Sequence, residues 1–267
     1  MRKINKIKEI QSIELEILKA FAKYMNLKDV KYSLAAGTML GAVRHQGFIP
    51  WDDDIDIFMV RQEYDKLIDC LRKEDIIIDG HYKFLLPKSS NYIYPFIKLV
   101  DMRTVLIEKN LKDIYKIGIW IDIFPLDYCY DDMKKNKKLI DDRRKINLNI
   151  MRMATKKGEN FFRSVLKKIY NIKMLIVGKN IDYWIKKSNE FPVETGKKYI
   201  GSIAWPVTYN DIYPASYFMD YTKIQFEKEE FLVFKDYKKI LKYRYGDYMT
   251  LPPKDQQHVH DFEAYKY

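Results

Sequence analysis

The sequence predicts a mixed α/β (α+β) fold: a mixed sheet core with flanking helices and an added helical region. Segments with apolar residues at helical spacing alternate with short apolar or period-2 runs of strand type. A Lys-rich stretch, 131–189, keeps helical periodicity with few Gly or Pro. The 267 residues are 47% hydrophobic and 15% aromatic, enough for a large core. Three parts are expected within one compact unit: a catalytic core over 1–130, a mainly helical insertion over 131–198, and strands with a helix over 199–267 that pack back on the core.

From Ile4 to Met25 apolar residues recur mostly at helical spacing, which predicts an amphipathic scaffold helix with a basic outer face. Tyr32–Ala36 is a short apolar strand that runs into Gly37-Thr38 and the apolar run Met39, Leu40, Ala42, Val43. That order predicts strand, turn and helix start, with Gly37 allowing close backbone approach and Thr38 near the cap. Arg44 and His45 close the helix, Gly47, Pro50 and Trp51 turn the chain, and a strand follows over Asp54–Val60. Arg61–Lys73 is a second amphipathic helix, and Tyr92–Met102 and Gly118–Phe124 are further apolar strand segments. Two or three helices are expected across Asp131–Asn189, with Phe161, Phe162, Val165 and Leu166 among their apolar positions. The tail returns to strands (YIGSIAW, KIQF, EFLVF), a helix over Asp236–Tyr245 and the string YGDYMTLPP.

Forty-eight Lys and Arg against thirty-seven Asp and Glu leave a net charge of +11, which favours anionic partners, although a Lys-, Ile-, Asn- and Tyr-rich composition from an AT-rich genome accounts for it equally well. Cys70 and Cys129 are far apart, so neither a disulfide framework nor a zinc ribbon is indicated. Charges every few residues near the N-terminus exclude the apolar region of a secretory signal, and no window approaches the ~20 apolar residues of a bilayer span. The expectation is a cytoplasmic protein, peripheral at most at the inner face of the membrane.

The chemistry is concentrated in GTMLGAVRHQGFIPWDDDIDIF, residues 37–58. Asp54 and Asp56 alternate with Ile55 and Ile57, so on a strand the two carboxylates share a side while the isoleucines face a core. Two such carboxylates call for a shared proton or a hard cation, Mg2+ or Mn2+, that keeps sites open for phosphates. Asp122, between isoleucines in IGIWIDIF, needs the same remedy and is the expected third carboxylate, with Asp101 of FIKLVD as the alternative. Asp52 and Asp53 are read as turn residues in water. Asp127 either caps the following helix or touches ligand.

A Gly-Thr turn opening a helix, then an Asp-apolar-Asp strand and a further apolar-Asp-apolar strand, resembles the nucleotidyltransferase superfamily. The full set GTMLGAVRHQGFIPWDDDIDI, FIKLVD, WIDIFPLD and YGDYMTLPP, with His260 beyond, is similar to the LicD family of phosphotransferases, which the fukutin-related proteins join in a wider group. The likeness covers most of the chain and is weakest over 131–199. It implies transfer of a phosphorylated alcohol, typified by phosphocholine, from a CDP-alcohol donor (CDP-choline first) to a hydroxyl of a cell-surface glycan or lipid-linked glycan acceptor, with no nucleic acid expected. Asp54, Asp56 and Asp122 are then the metal and catalytic residues, and Asp122 completes the metal site or accepts the proton of the attacking hydroxyl. Gly37, Thr38, Arg44, Lys98 and His260 are the substrate contacts; Arg44 can instead pair with an aspartate. Two rivals stand beside this reading: a true nucleotidyltransferase, and a nucleic-acid-binding or scaffold protein with a Ca2+ loop, for which the EF-hand spacing and closing Glu are missing.

Overall fold

A computed structural model describes residues 1–73, 76–87, 89–156, 161–188, 190, 198–257 and 261–267. In chain order the first half contains β1 (Arg2–Ile4), α1 (Ile7–Leu27), β2 (Ser33–Leu34), α2 (Ala36–His45), β3 (Asp56–Val60), α3 (Arg61–Lys73), β4 (Ile77–Ile78), β5 (Tyr82–Leu85), β6 (Ile97–Asp101), β7 (Thr104–Glu108) and β8 (Trp120–Tyr128). The second half contains α4 (Met133–Ala154), α5 (Phe161–Ile176), α6 (Ile181–Ser188), β9 (Tyr199–Gly201), β10 (Ile212–Pro214), β11 (Tyr221–Phe226), β12 (Glu229–Phe234), α7 (Tyr237–Tyr245) and β13 (Phe262–Lys266).

The main sheet runs β10-β9-β8-β6-β5-β4, with β3 added parallel to β8 and β2 antiparallel to β3. β8 organises it: its first residues pair with β6, its last with β9, and β3 lies along its middle. The alternation of β3 and β8 puts Ile55, Ile57, Ile121 and Ile123, all fully buried, in the main core with Ile17, Leu18 and Phe21 of α1. Burying each isoleucine is worth roughly 1.5–3 kcal/mol. A one-residue slip of β3 would send aspartates into that core, so the isoleucines also fix the register of the acids.

Beside Phe96 and Phe124 a second core gathers Tyr92, Tyr94 and Ile93 with Ile150 and Ala154 of α4 and Ile185 of α6. A small separate sheet, β1-β13-β7, joins both ends of the chain, and β11 and β12 form a hairpin. Among the described residues no helix is long and apolar enough to cross a membrane.

Several expected boundaries move. The first helix begins at Ile7 rather than Ile4, because Arg2–Ile4 is a strand that pairs with Lys266–Ala264. The strand at Tyr32–Ala36 shrinks to Ser33–Leu34, and β3 begins at Asp56, leaving Asp54 in the approach to it. Among its described residues the helical stretch holds three helices, but α5 has no buried residue, so the apolar positions at Phe161, Phe162, Val165 and Leu166 do not build a core.

Candidate active site

Asp56 and Asp122 stand opposite each other in the parallel register of β3 and β8, near the start of both strands. The pairing is tied at its base, where Asp122 N–H donates to the carbonyl of Ile55 at 2.8 Å. Asp56 N–H donates to Thr38 Oγ1 at 2.9 Å, fastening the strand to the first turn of α2. Thr38 is therefore inside the helix rather than near its cap, which is Ala35. At Gly37 a Cβ would come within 2.7 Å of Asp52 Oδ2, so glycine makes room for a carboxylate of the acidic loop at this helix start. The Gly37 position, expected as a substrate contact, is thus lined by Asp52.

Lys98 comes from β6, directly opposite Asp122 in the antiparallel register. Its Nζ lies 2.5 Å from Asp122 Oδ1, and the side chain is only 2% exposed. The Trp120 ring, 3.9 Å away to its centroid, and the Tyr94 ring at 4.5 Å sheathe the ammonium. Lys98, expected as a substrate contact, is here the buried partner of Asp122. Asp101, the alternative third carboxylate, accepts from Arg103 Nε at 2.9 Å and Nη2 at 2.8 Å. It pairs across to Tyr82 rather than to Asp122, three residues along β6 and on the opposite side of the strand.

Arg44 donates from Nη1 to the carbonyls of Tyr248 at 3.0 Å and Thr250 at 3.4 Å, so it ties α2 to the YGDYMT segment. Asp127 neither caps a helix nor faces the acids; it takes Arg61 in two bonds of 2.6 and 2.9 Å, and Asp132 caps α4. Asp53 is 3% exposed, which removes the expectation that it sits in water. His260 lies outside the described residues.

Two residues of α1, a helix that the sequence marks as scaffold, belong to the site. Gln11 Nε2 donates to the carbonyls of Ile49 at 3.2 Å and Asp52 at 2.7 Å, holding the acidic loop against the helix. Glu14, one turn on and 2% exposed, lines a cavity of about 50 Å³ with Asp53, Asp54, Asp122 and Trp120. Its Oε2 is buried without a hydrogen-bond partner. The signal was available: Glu14 interrupts the stripe Ile10, Ile17, Leu18, Phe21 at helical spacing. Arg244 was also missed. It pairs with Asp211, bonds Tyr213 Oη at 3.0 Å, and lines a second cavity of about 60 Å³ with Asp56, Phe58, Phe124, Ser202 and Trp205.

Burial pushes the Glu14 carboxyl well above the usual range, and Asp54, Asp53, Asp52 and Asp122 push it further. Asp56 is raised well above its ordinary value by burial, then by Asp54 and Asp122, with Arg244 opposing. Asp122 is raised by burial, against which Lys98 acts. The cluster therefore carries more negative charge than its cations balance, and it attracts protons or a cation. All donors are oxygens, the set a hard divalent ion takes. Among the described residues no three His, Cys, Asp or Glu are gathered closely enough to hold a metal alone.

Fold and site together define an α/β protein with an acidic pocket at the start of two parallel strands, backed by a lysine and flanked by aromatic rings. Comparison of sequences gives the family. The model described as "LicD/FKTN/FKRP, nucleotidyltransferase domain" matches residues 29–149. The lipopolysaccharide cholinephosphotransferase LicD of Haemophilus influenzae is 31% identical over 277 residues, covering 99% of this chain and 99% of its own. An uncharacterized protein of Rickettsia typhi is 39% identical over 59 residues, 22% of this chain and 19% of its own, and one of Rickettsia prowazekii is 38% identical over 64 residues, 21% and 24%. The chain belongs to the LicD family.

Proposed function

We propose that this protein transfers phosphocholine from CDP-choline to a hydroxyl of a lipopolysaccharide-type glycan, with a divalent cation. The observation that carries the reading is the in-register pair Asp56–Asp122, joined by Asp54 and backed by Lys98. Kinship along the whole length with a lipopolysaccharide cholinephosphotransferase supports the choice of group and acceptor. Asp54 and Asp56 would hold the cation. When bound, it neutralises the diphosphate and the departing CMP.

The reaction forms a P–O bond between the acceptor oxygen and the choline-bearing phosphorus and breaks the P–O bond to CMP. The hydroxyl proton passes to Asp122, whose Oδ1 is fixed by Lys98 and whose raised pKa suits proton uptake. Beside Asp56, Phe58, Phe124 and Trp205 line the second cavity and would supply the aromatic surroundings that suit a quaternary ammonium. The two cavities, about 50 and 60 Å³, are each far smaller than a nucleotide needs, so neither could enclose the whole donor.

The test is thermal unfolding with CDP-choline and Mg2+. Donor at a hundredfold excess over its Kd should raise Tm by roughly 5 °C. EDTA or Asp56→Asn should remove the shift, and CMP should appear when an acceptor glycan is added. Stabilisation by ATP or UTP alone, with pyrophosphate released, would move the reaction to nucleotidyl transfer.

A further inference from the structure

Helix α5 is assembled inside out. At about 100° per residue, Phe161, Phe162, Leu166, Ile169, Ile172 and Ile176 fall on roughly one half of its circumference. That half faces away from the protein: all six are exposed, Phe161 at 86% and Ile176 at 80%. The helix is attached by its polar side. Tyr170 Oη donates to Asn149 Oδ1 of α4 at 2.6 Å, Lys167 Nζ donates to the carbonyl of Thr155 at 2.7 Å, and the Arg152 guanidinium sits over the Tyr170 ring. A helix that merely packed on its neighbour would turn the other way, because exposing so many large apolar side chains to water is unfavourable.

Charge identifies what covers this face. Between Phe161 and Ile176 the helix carries Arg163, Lys167, Lys168 and Lys173 and no acid. Lys168 and Lys173, both exposed, lie near the two borders of the apolar half, where their stems can follow it and their ammonium groups reach outward. A second copy of the helix would bring these lysines against like charge. An anionic lipid surface satisfies both features, taking the apolar half among acyl chains and the border lysines among headgroup phosphates.

We propose that α5 is a membrane-docking helix that lies in the plane of an anionic lipid bilayer. It shares no residue with the acidic site, so the proposal stands or falls apart from the transfer reaction. Its site-side neighbour α4 nevertheless packs Ile150 and Ala154 into the aromatic core that holds Tyr94 and Phe96, which fixes the docked surface relative to the catalytic face.

The test is co-sedimentation of the full chain with vesicles of phosphatidylglycerol and phosphatidylethanolamine, against phosphatidylcholine vesicles. Binding to the anionic vesicles is expected, weakening as salt rises. Phe162→Asp with Ile169→Asp should reduce it at least about tenfold, and Lys168→Gln with Lys173→Gln severalfold, while Tm without vesicles stays unchanged. Three results would overturn the proposal. The wild type could remain in the supernatant at low salt. The Asp variant could bind vesicles as well as the wild type does. Or sedimentation velocity could show a dimer that the Asp variant dissolves, with no vesicle binding by either protein.

Discussion

Glu14 and Lys98 meet burial in opposite ways. Lys98 is taken out of water but has Asp122 and three aromatic rings around it, so its charge is compensated. Glu14 is equally buried, with an unpartnered oxygen and aspartates nearby, and so holds its proton above the ordinary value of 4.5. In the unfolded chain it ionises normally. Its burial therefore favours the fold below about pH 4.5 and opposes it as pH rises towards the folded value. Glu14→Gln should melt a few degrees above the wild type at pH 8 in EDTA, with the gap closing towards pH 4.5. Melting curves across pH check this, and a gap that ignores pH would contradict the burial argument.

Among the elements, α2 and β3 share one hydrogen bond that matters to the acids. Thr38→Val should cost about 1–3 kcal/mol in urea unfolding, because it leaves the Asp56 N–H unpaired, whereas Thr38→Ser should stay within about 0.5 kcal/mol. An equal loss for Val and Ser would show that the hydroxyl bond is not what holds the strand. The alternation of Ile and Asp makes this part of the site legible in sequence, since period-2 patterning assigns faces directly. Lys98 illustrates the limit. Its residue type suggests a substrate contact, but only the register of β6 on β8 shows that Asp122 already pairs with it. The periodicity of α5 is legible too, yet period gives a face and not its direction. Strands β1, β7 and β13 escape notice because they are short and pair only with segments far along the chain, β1 and β13 across almost its full length.

At the scale of the whole molecule, β13 joins the two ends, pairing with β1 on one side and β7 on the other. Phe262 of β13 also closes the cavity over Glu14. Deleting residues 262–267 should lower Tm and produce self-association, because it leaves two unpaired strand edges. Light scattering together with melting checks this, and an unaltered monomer would refute the role given to β13. The parallel partnership of β3 and β8 carries a further consequence, for the speed of folding. Their aspartates meet only when β8 docks beside β3, after the chain between 61 and 119 has been looped out of the way. That docking brings like charges together in a drying environment, so the strand closes against an electrostatic brake that a proton or a cation arriving with it releases.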